Sequence, residues 1–171
     1  MKLVTLSCLC FLLLLSEGNA QQIYFKDATL QKALLSNTAI NTNGDDNIDI
    51  NEARSFDGML NLRGLYIEDI SGLDQFPNII SLNLSNNNLK KVDLSAFTKL
   101  EQLEINHNWL TKLDLSKNPE LYIVKCSYND IQSIDLSKLP KLIRFHATFN
   151  ELEELDFSSN PLIANIDVEH N

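Results

Sequence analysis

One apolar pattern repeats every 21 residues through most of this chain, and it constrains the fold more than any other feature. The first full copy contains Ile79, Leu82, Leu84, Asn87 and Leu89, in the order L-x-x-L-x-L-x-x-N-x-L. Later copies place their asparagines at Asn108, Asn129, Asn150 and Asn171. A fixed period of this length predicts a solenoid in which each copy forms one coil, stacked on the coil before it.

The spacing within one copy predicts which side chains point inward. Two apolar residues separated by one residue lie on the same face of a strand, and strands stacked about 4.8 Å apart form a parallel sheet with a continuous apolar column. At the bend after each strand, a buried amide can donate to and accept from backbone groups that have lost their sheet partners. We therefore expect a structural ladder of Asn87, Asn108, Asn129, Asn150 and Asn171.

A second element, of the form L-D-L-S, keeps the same period. Its aspartates are Asp93, Asp114, Asp135 and Asp156. Aspartate and serine side chains commonly accept hydrogen bonds from backbone N–H groups of their own turn, which is the role we expect here. The alternative is a cation bound along the column of carboxylates.

These motifs resemble the leucine-rich repeat family, and the compact 21-residue unit is most similar to bacterial secreted and surface proteins of the internalin type. The resemblance implies a solenoid with a curved parallel β-sheet and few helices. It also implies that the concave face of the sheet binds a partner, usually a protein and sometimes a glycan. We assign residues 59–171 to the repeats and expect the array to be incomplete at its C-terminus, because it stops within a copy at Asn171.

Residues 1–20 have the features of a secretory signal peptide. Lys2 provides the positive charge, Leu3 to Leu15 form an apolar run, and small residues including Ala20 follow. The run of about 13 residues is shorter than the roughly 20 needed to span a bilayer, so we expect no transmembrane segment in the mature chain. Removal of the signal leaves Cys126 as the single thiol, without an intrachain disulfide. We expect the product to be secreted or on the cell surface, and monomeric.

Residues 21–58 are expected to form a helical cap on the first coil. The apolar spacing from Phe25 to Ile40 predicts an amphipathic helix. The next twelve residues resemble the EF-hand calcium loop, with Asn41 where aspartate is usual and Asp46 where glycine is usual. The expected calcium ligands, in a structural role, are Asn41, Asn43, Asp45, Asn47, Asp49 and Glu52. The alternative is a polar turn, rich in hydrogen bonds of its own, that holds no metal.

The residues that alternate with the buried positions form the candidate binding surface. Opposite charges are predicted to adjoin in its central column, Glu104 beside Lys125 and His146 beside Asp167. A neighbouring column is aromatic, and stacked aromatic side chains offer large, rigid contact area, although they can also serve local packing. The predicted partner-binding residues are Glu104, His107, Trp109, Lys125, Tyr128, Arg144, His146 and Phe149.

Composition and spacing exclude several other functions. The formal net charge of −9 disfavours binding to nucleic acid phosphates, which requires a basic face. Cys126 is at an inward position, and the three histidines are on different copies without a matched nucleophile and carboxylate, so we predict no catalytic residues. The remaining hypotheses are a binding module for a protein or glycan, a calcium-stabilised structural spacer, and the recognition arm of a larger adhesin or hydrolase.

Overall fold

The computed structural model describes residues 20–171, so the predicted signal peptide lies almost entirely outside the described residues. Two α-helices precede the repeats, α1 (Ala28–Leu35) and α2 (Ile50–Ser55), and a 3-10 helix (Leu73–Gln75) follows the first strand. The six strands are β1 (Met59–Asn61), β2 (Ser81–Asn83), β3 (Gln102–Glu104), β4 (Ile123–Lys125), β5 (Arg144–His146) and β6 (Asn165–Asp167).

The strands form one parallel sheet in the order in which they occur along the chain, β1 to β6. Leu82 pairs with Leu103, Leu103 with Val124, and Val124 with Phe145, so each coil is displaced by one 21-residue period from the next. The predicted order of stacking is therefore confirmed. Each strand has three residues, and the central one is buried in β1 to β5.

The core is one continuous apolar cluster that runs from the cap through the coils. It is built from the inward residues of the repeat, such as Leu82, Leu84 and Leu89, each of them fully buried. Burial of one such side chain contributes roughly 1.5–3 kcal/mol, so the stacking of the coils supplies most of the stability. The last strand, β6, lies at the edge of the sheet, and its central Ile166 is 46% exposed.

The cap has two short helices joined by a loop, and its first helix is shorter than predicted. Asp27 caps α1 by accepting hydrogen bonds from the N–H groups of Thr29 and Leu30. The helix ends at Leu35, although Phe25 and Ile40 are both buried in the same core. Phe25 and Ile40 pack against the core from outside the helix. The helix predicted from the apolar spacing was therefore too long at both ends.

A second set of buried asparagines lies on the opposite side of the coils and was not predicted. Asn118 donates to the carbonyl oxygens of Leu94 and Phe97 in the preceding coil, at 2.9 Å each. Asn160 makes the same bonds to Leu136 and Leu139. These amides therefore join consecutive coils at the turn that follows the L-D-L-S element.

Candidate functional site

The outer face of the sheet carries a short polar network. The Lys125 ammonium lies 2.6 Å from the Glu104 carboxylate, and the amide of Asn83 donates to the same carboxylate at 3.2 Å. This pair was predicted. His146 and Asp167 also lie side by side, as register partners of β5 and β6, but His146 contacts the side-chain oxygen of Asn165, and residues 20–171 contain no ion pair between His146 and Asp167.

Arg144 is exposed on β5, beside the partly buried His146. The sheet face therefore presents cationic groups at Lys125 and Arg144 within an otherwise acidic chain. In the column beside it, which contains Ser85, Asn106, Ser127 and Thr148, Ser85 and Ser127 are buried. Ser127 accepts a hydrogen bond from Thr148 N–H and donates its own N–H to Asn106, so this column joins neighbouring coils.

Four aromatic rings, which we call the aromatic strip, stack on one another along the coils. The strip consists of His107, Tyr128, Phe149 and His170, with centroid separations of 4.2, 4.6 and 4.3 Å and interplanar angles of 19° or less. Tyr128 is 44% exposed and Phe149 is 42% exposed. Because each inner ring has a neighbour on both faces, the strip presents mainly ring edges to the solvent.

Every residue of the aromatic strip has a left-handed backbone conformation. The φ angles of His107, Tyr128, Phe149 and His170 lie between 54° and 57°, and Asn86, one coil earlier, has φ 59°. This conformation costs most residues about 1–2 kcal/mol, whereas asparagine tolerates it. Sequence reasoning missed this feature, for which Asn86 and the glycine at the equivalent position of the first coil, Gly64 with φ 72°, were local signals.

The ladder asparagines lie directly behind the strip. Asn108 accepts from Leu89 N–H at 3.0 Å and donates to the carbonyl oxygens of Leu84 and Ile105 at 3.1 and 3.2 Å. The same three kinds of hydrogen bond recur at each later copy, although the Asn171 side chain is exposed. The buried members are Asn87, Asn108, Asn129 and Asn150.

A groove of about 450 Å³ runs along the ladder. One wall is formed by residues that precede the ladder asparagines, and the other by residues that follow them. The first wall contains Asn86, His107, Tyr128 and Phe149; the second contains Asn88, Trp109 and Asp130, together with Tyr66, which aligns with Asn88 in the first coil; and the floor is Asn87, Asn108 and Asn129. Trp109, which is 59% exposed, also lines an adjoining groove with Lys90 and Lys91.

The loop that resembles an EF-hand is held together by its own hydrogen bonds. The buried Glu52 carboxylate accepts from Thr42 N–H at 2.8 Å, Asn43 N–H at 3.4 Å and Asp49 N–H at 3.1 Å. Asn41 donates to the carbonyl oxygen of Asp45 at 2.9 Å. Since both Glu52 oxygens already have donors, bidentate coordination of calcium by this residue requires these donors to move.

The other predicted ligands are also engaged within the loop. Asp45 accepts from Asn47 N–H and from the amide of Asn43, and Asp49 caps α2 by accepting from Asn51 and Glu52 N–H groups. Histidine, cysteine, aspartate and glutamate side chains of residues 20–171 do not gather in groups of three or more that are placed to hold a metal ion. Calcium binding stays a prediction from the spacing.

The L-D-L-S turns use their aspartates locally. Each carboxylate accepts from the N–H of the serine two residues later, at 2.7–2.9 Å. This hydrogen bond and one from the serine side chain lower the pKa of each aspartate, at Asp93, Asp114, Asp135 and Asp156.

Cys126 is buried in the core, and burial raises the pKa of its thiol to about 12. It therefore stays a neutral, unreactive thiol at physiological pH. Within residues 20–171, no helix combines the length and the apolar character that crossing a membrane requires.

Neither a scan against protein-family models nor a search of curated proteins found a match to this chain. Solved leucine-rich repeat structures do share its fold. The leucine-rich repeat domain of APL1B is 22% identical with a TM-score of 0.62, over 66% of this chain and 36% of that one. A leucine-rich repeat protein of Leptospira interrogans is 16% identical with a TM-score of 0.60, over 71% and 33%.

Internalin C2 of Listeria monocytogenes is 19% identical with a TM-score of 0.57, over 83% of this chain and 92% of that one. This chain thus spans about one third of the length of the APL1B and Leptospira interrogans structures, and most of the length of internalin C2. The fold is a leucine-rich repeat solenoid with a curved parallel sheet and coils of 21 residues, as the resemblance implied.

Proposed function

We infer that this chain is a binding module that recognises a protein or glycan partner through the concave face of its sheet and the aromatic strip beside it. The aromatic strip is the observation that carries the proposal. Its four residues keep a left-handed backbone, which is unfavourable for tyrosine and phenylalanine, and they leave large rings partly exposed. Strain of this kind concentrates at functional sites, and aromatic side chains are enriched where partners bind.

The polar network on the sheet face complements the strip. Lys125 is fixed by Glu104, whereas Arg144 is exposed without an ion-pair partner among residues 20–171. Charges at the edge of an interface contribute mainly to the rate of association and to the choice of partner. We therefore assign Glu104, Lys125, Arg144 and His146 to specificity, and the strip to contact area.

A binding role is also favoured over catalysis by the chemistry of the candidate nucleophile. Cys126, the only cysteine among the described residues, is a buried thiol whose pKa is about 12. His107 is stacked against Tyr128, and His146 contacts an amide, so neither is paired with a nucleophile. The signal-like residues 1–20 support placement of the module outside the cell.

Two charge-reversal variants test the proposal against a spacer role. Lys125→Glu changes the sheet face, and Lys138→Glu makes the same change at an exposed position in the L-D-L-S half of a coil. The wild type and both variants are presented to arrays of extracellular protein domains and of glycans. Loss of a captured partner in Lys125→Glu, with retention in Lys138→Glu, is the expected result. Equal capture by both variants would reject the sheet face as the contact surface.

The contribution of the strip is measured separately. The double variant Tyr128→Ser with Phe149→Ser removes two rings from the middle of the stack. We expect capture of the same partner to weaken at least tenfold while the circular dichroism spectrum is unchanged. If the double variant still captures the partner as well as the wild type does, the strip serves local packing only.

A further inference from the structure

We propose that the groove between the aromatic strip and Trp109 is a subsite for one neutral sugar ring of a glycan. This inference rests on the proposed function and names the ligand chemistry of one part of its surface. The groove of about 450 Å³ falls within the range of small-ligand sites, roughly 300–1,000 Å³. It combines exposed rings with polar side chains, as sites for small polar ligands commonly do.

The rings that line the groove differ in whether a face is free. A sugar ring presents C–H groups on one face, which pack against the negative face of an aromatic ring. Tyr128 and Phe149 each have a ring stacked on both faces. Trp109 is 59% exposed and stacks on no other ring of residues 20–171. Its indole is therefore the platform that the groove leaves free.

The groove also offers polar side chains that are free to form hydrogen bonds. The Asp130 carboxylate and the Asn86 amide line the groove, and neither side chain has a hydrogen-bond partner among residues 20–171. Asn88 uses one amide hydrogen in a long bond of 3.4 Å to the Tyr66 carbonyl oxygen, which leaves its own oxygen free. A carboxylate and two amides provide both acceptors and donors, as neighbouring sugar hydroxyls require.

The charge around Trp109 separates a sugar from a basic peptide as the ligand. An arginine or lysine side chain would also pack on an indole, and a negative potential around the ring would favour it over a neutral ligand. Asp130 is the only acidic residue that lines this groove. The adjoining groove beside the same tryptophan is lined by three lysines, Lys26, Lys90 and Lys91, and by three acidic residues, Asp27, Glu68 and Asp69, so its formal charges balance. With Asp130 as the single uncompensated charge, the local potential gives a cation little advantage over a neutral ligand.

Trp109 provides a direct measurement, because it is the only tryptophan in the whole chain. The full chain is titrated with a panel of methyl pyranosides of glucose, galactose, mannose and their N-acetyl derivatives, and tryptophan emission is recorded. We expect at least one pyranoside to change the emission saturably, with a midpoint of order 1 mM, as expected for a ligand of this size. N-acetylarginine amide, tested in parallel, is expected to give no saturable change.

Asp130→Asn should raise the midpoint at least fivefold. Its matched control is Glu151→Gln, one coil later at the equivalent position and outside the groove, which should leave the midpoint unchanged. As a second measurement, saturation-transfer NMR should detect protein contacts with the sugar ring protons in the wild type and lose them in Trp109→Ala. Circular dichroism verifies that each variant is folded.

Three results would overturn the proposal: no pyranoside changes the emission at 100 mM, Asp130→Asn and Glu151→Gln behave alike, or N-acetylarginine amide saturates where the sugars do not. The same titration on Lys125→Glu should keep the wild-type midpoint, since Lys125 lies outside this groove. The titration therefore fails or succeeds independently of the partner-capture test of the sheet face.

Discussion

The side-chain oxygen of Asn108 accepts a hydrogen bond at 3.0 Å from the backbone N–H of Leu89, one coil earlier. Through its amide nitrogen the same side chain donates to a carbonyl of that earlier coil and to one of its own, at Leu84 and Ile105. One asparagine thus satisfies backbone groups of two coils at the bend where the sheet ends. The equivalent residue of the next coil, Asn129, does the same for Leu110.

Asn129→Ala is expected to destabilise the fold. The substitution leaves the Leu110 N–H buried without an acceptor, which costs about 1–3 kcal/mol, and it removes two further hydrogen bonds. The carbonyls of Ile105 and Cys126 each keep a second amide donor, from Asn108 and Asn150, which limits the loss. We expect a decrease of about 2–4 kcal/mol in the free energy of unfolding, measured with urea. Gln132→Ala, a change at an exposed amide, should have little effect; equal losses in the two variants would contradict the ladder's role.

The left-handed backbone at Tyr128 predicts a difference between two substitutions that both remove its ring. Tyr128→Asn and Tyr128→Val each abolish the stack with His107 and Phe149. Asparagine already occupies the equivalent position of an earlier coil, at Asn86 with φ 59°, whereas a β-branched residue is strained there. Tyr128→Val should therefore be less stable than Tyr128→Asn by about 1–2 kcal/mol in urea unfolding. Equal stabilities would mean that the backbone relaxes once the ring is removed.

The period of the repeat was sufficient to predict the stacking order, the inward leucines and the main asparagine ladder. It was also sufficient to find the second asparagine set, which we missed. Every 21 residues the chain places Phe97, Asn118, Leu139 and Asn160, and all four are fully or almost fully buried. An asparagine that alternates with large apolar residues at one position of the repeat is a signal for a buried amide.

The geometry of the site depended on contacts that local sequence does not encode. Nothing in the propensities of tyrosine or phenylalanine favours a left-handed backbone. The contact of His146 with Asn165, instead of with its register partner Asp167, depends on side-chain rotamers. The groove beside Trp109 exists because each ladder asparagine turns inward and its two neighbours flank it. Sequence reasoning placed Trp109 near the strip, but it did not identify Asn88 and Asp130 as its neighbours.

The junction between the cap and the first coil predicts sensitivity to acid. Burial opposes ionisation of Asp27, but hydrogen bonds from the backbone N–H groups of Glu68, Leu30 and Thr29 outweigh it and lower the pKa of this residue. The folded-state pKa is thus below the unfolded value of about 3.9, so the contribution of Asp27 to stability is complete above about pH 5 and is lost as the pH falls below about 4.

Asp69 belongs to the same junction. A hydrogen bond from Lys26, together with Ser71, holds the pKa of Asp69 well below its usual range. We expect the free energy of unfolding in urea to fall between about pH 5 and pH 3, and to fall less in Asp27→Asn, which removes the titrating group. Asp57→Asn, at an exposed aspartate of the cap, is the control. An identical pH dependence in the wild type and Asp27→Asn would contradict the assignment.

The cap loop gives the last prediction, on calcium. Asp45, Asp46, Asp49 and Glu52 bring four carboxylates into eight residues, and none of them forms an ion pair within residues 20–171. A divalent cation would relieve their repulsion, and extracellular modules bind calcium with dissociation constants of about 0.1–1 mM. Calcium at a few times that concentration should raise the melting temperature of the wild type, provided that Glu52 exchanges its backbone donors for the ion.

The calcium-dependent increase should disappear in Glu52→Gln and persist in Asp57→Asn. Because Glu52 also accepts hydrogen bonds from Thr42 and Asn43, Glu52→Gln is expected to lower the melting temperature without calcium as well. The informative quantity is therefore the difference between melts with and without calcium for each protein, and magnesium at the same concentration controls for ionic strength. If that difference is zero in the wild type, the loop acts as a turn closed by its own hydrogen bonds, and the Glu52 carboxylate serves as the clamp that holds it.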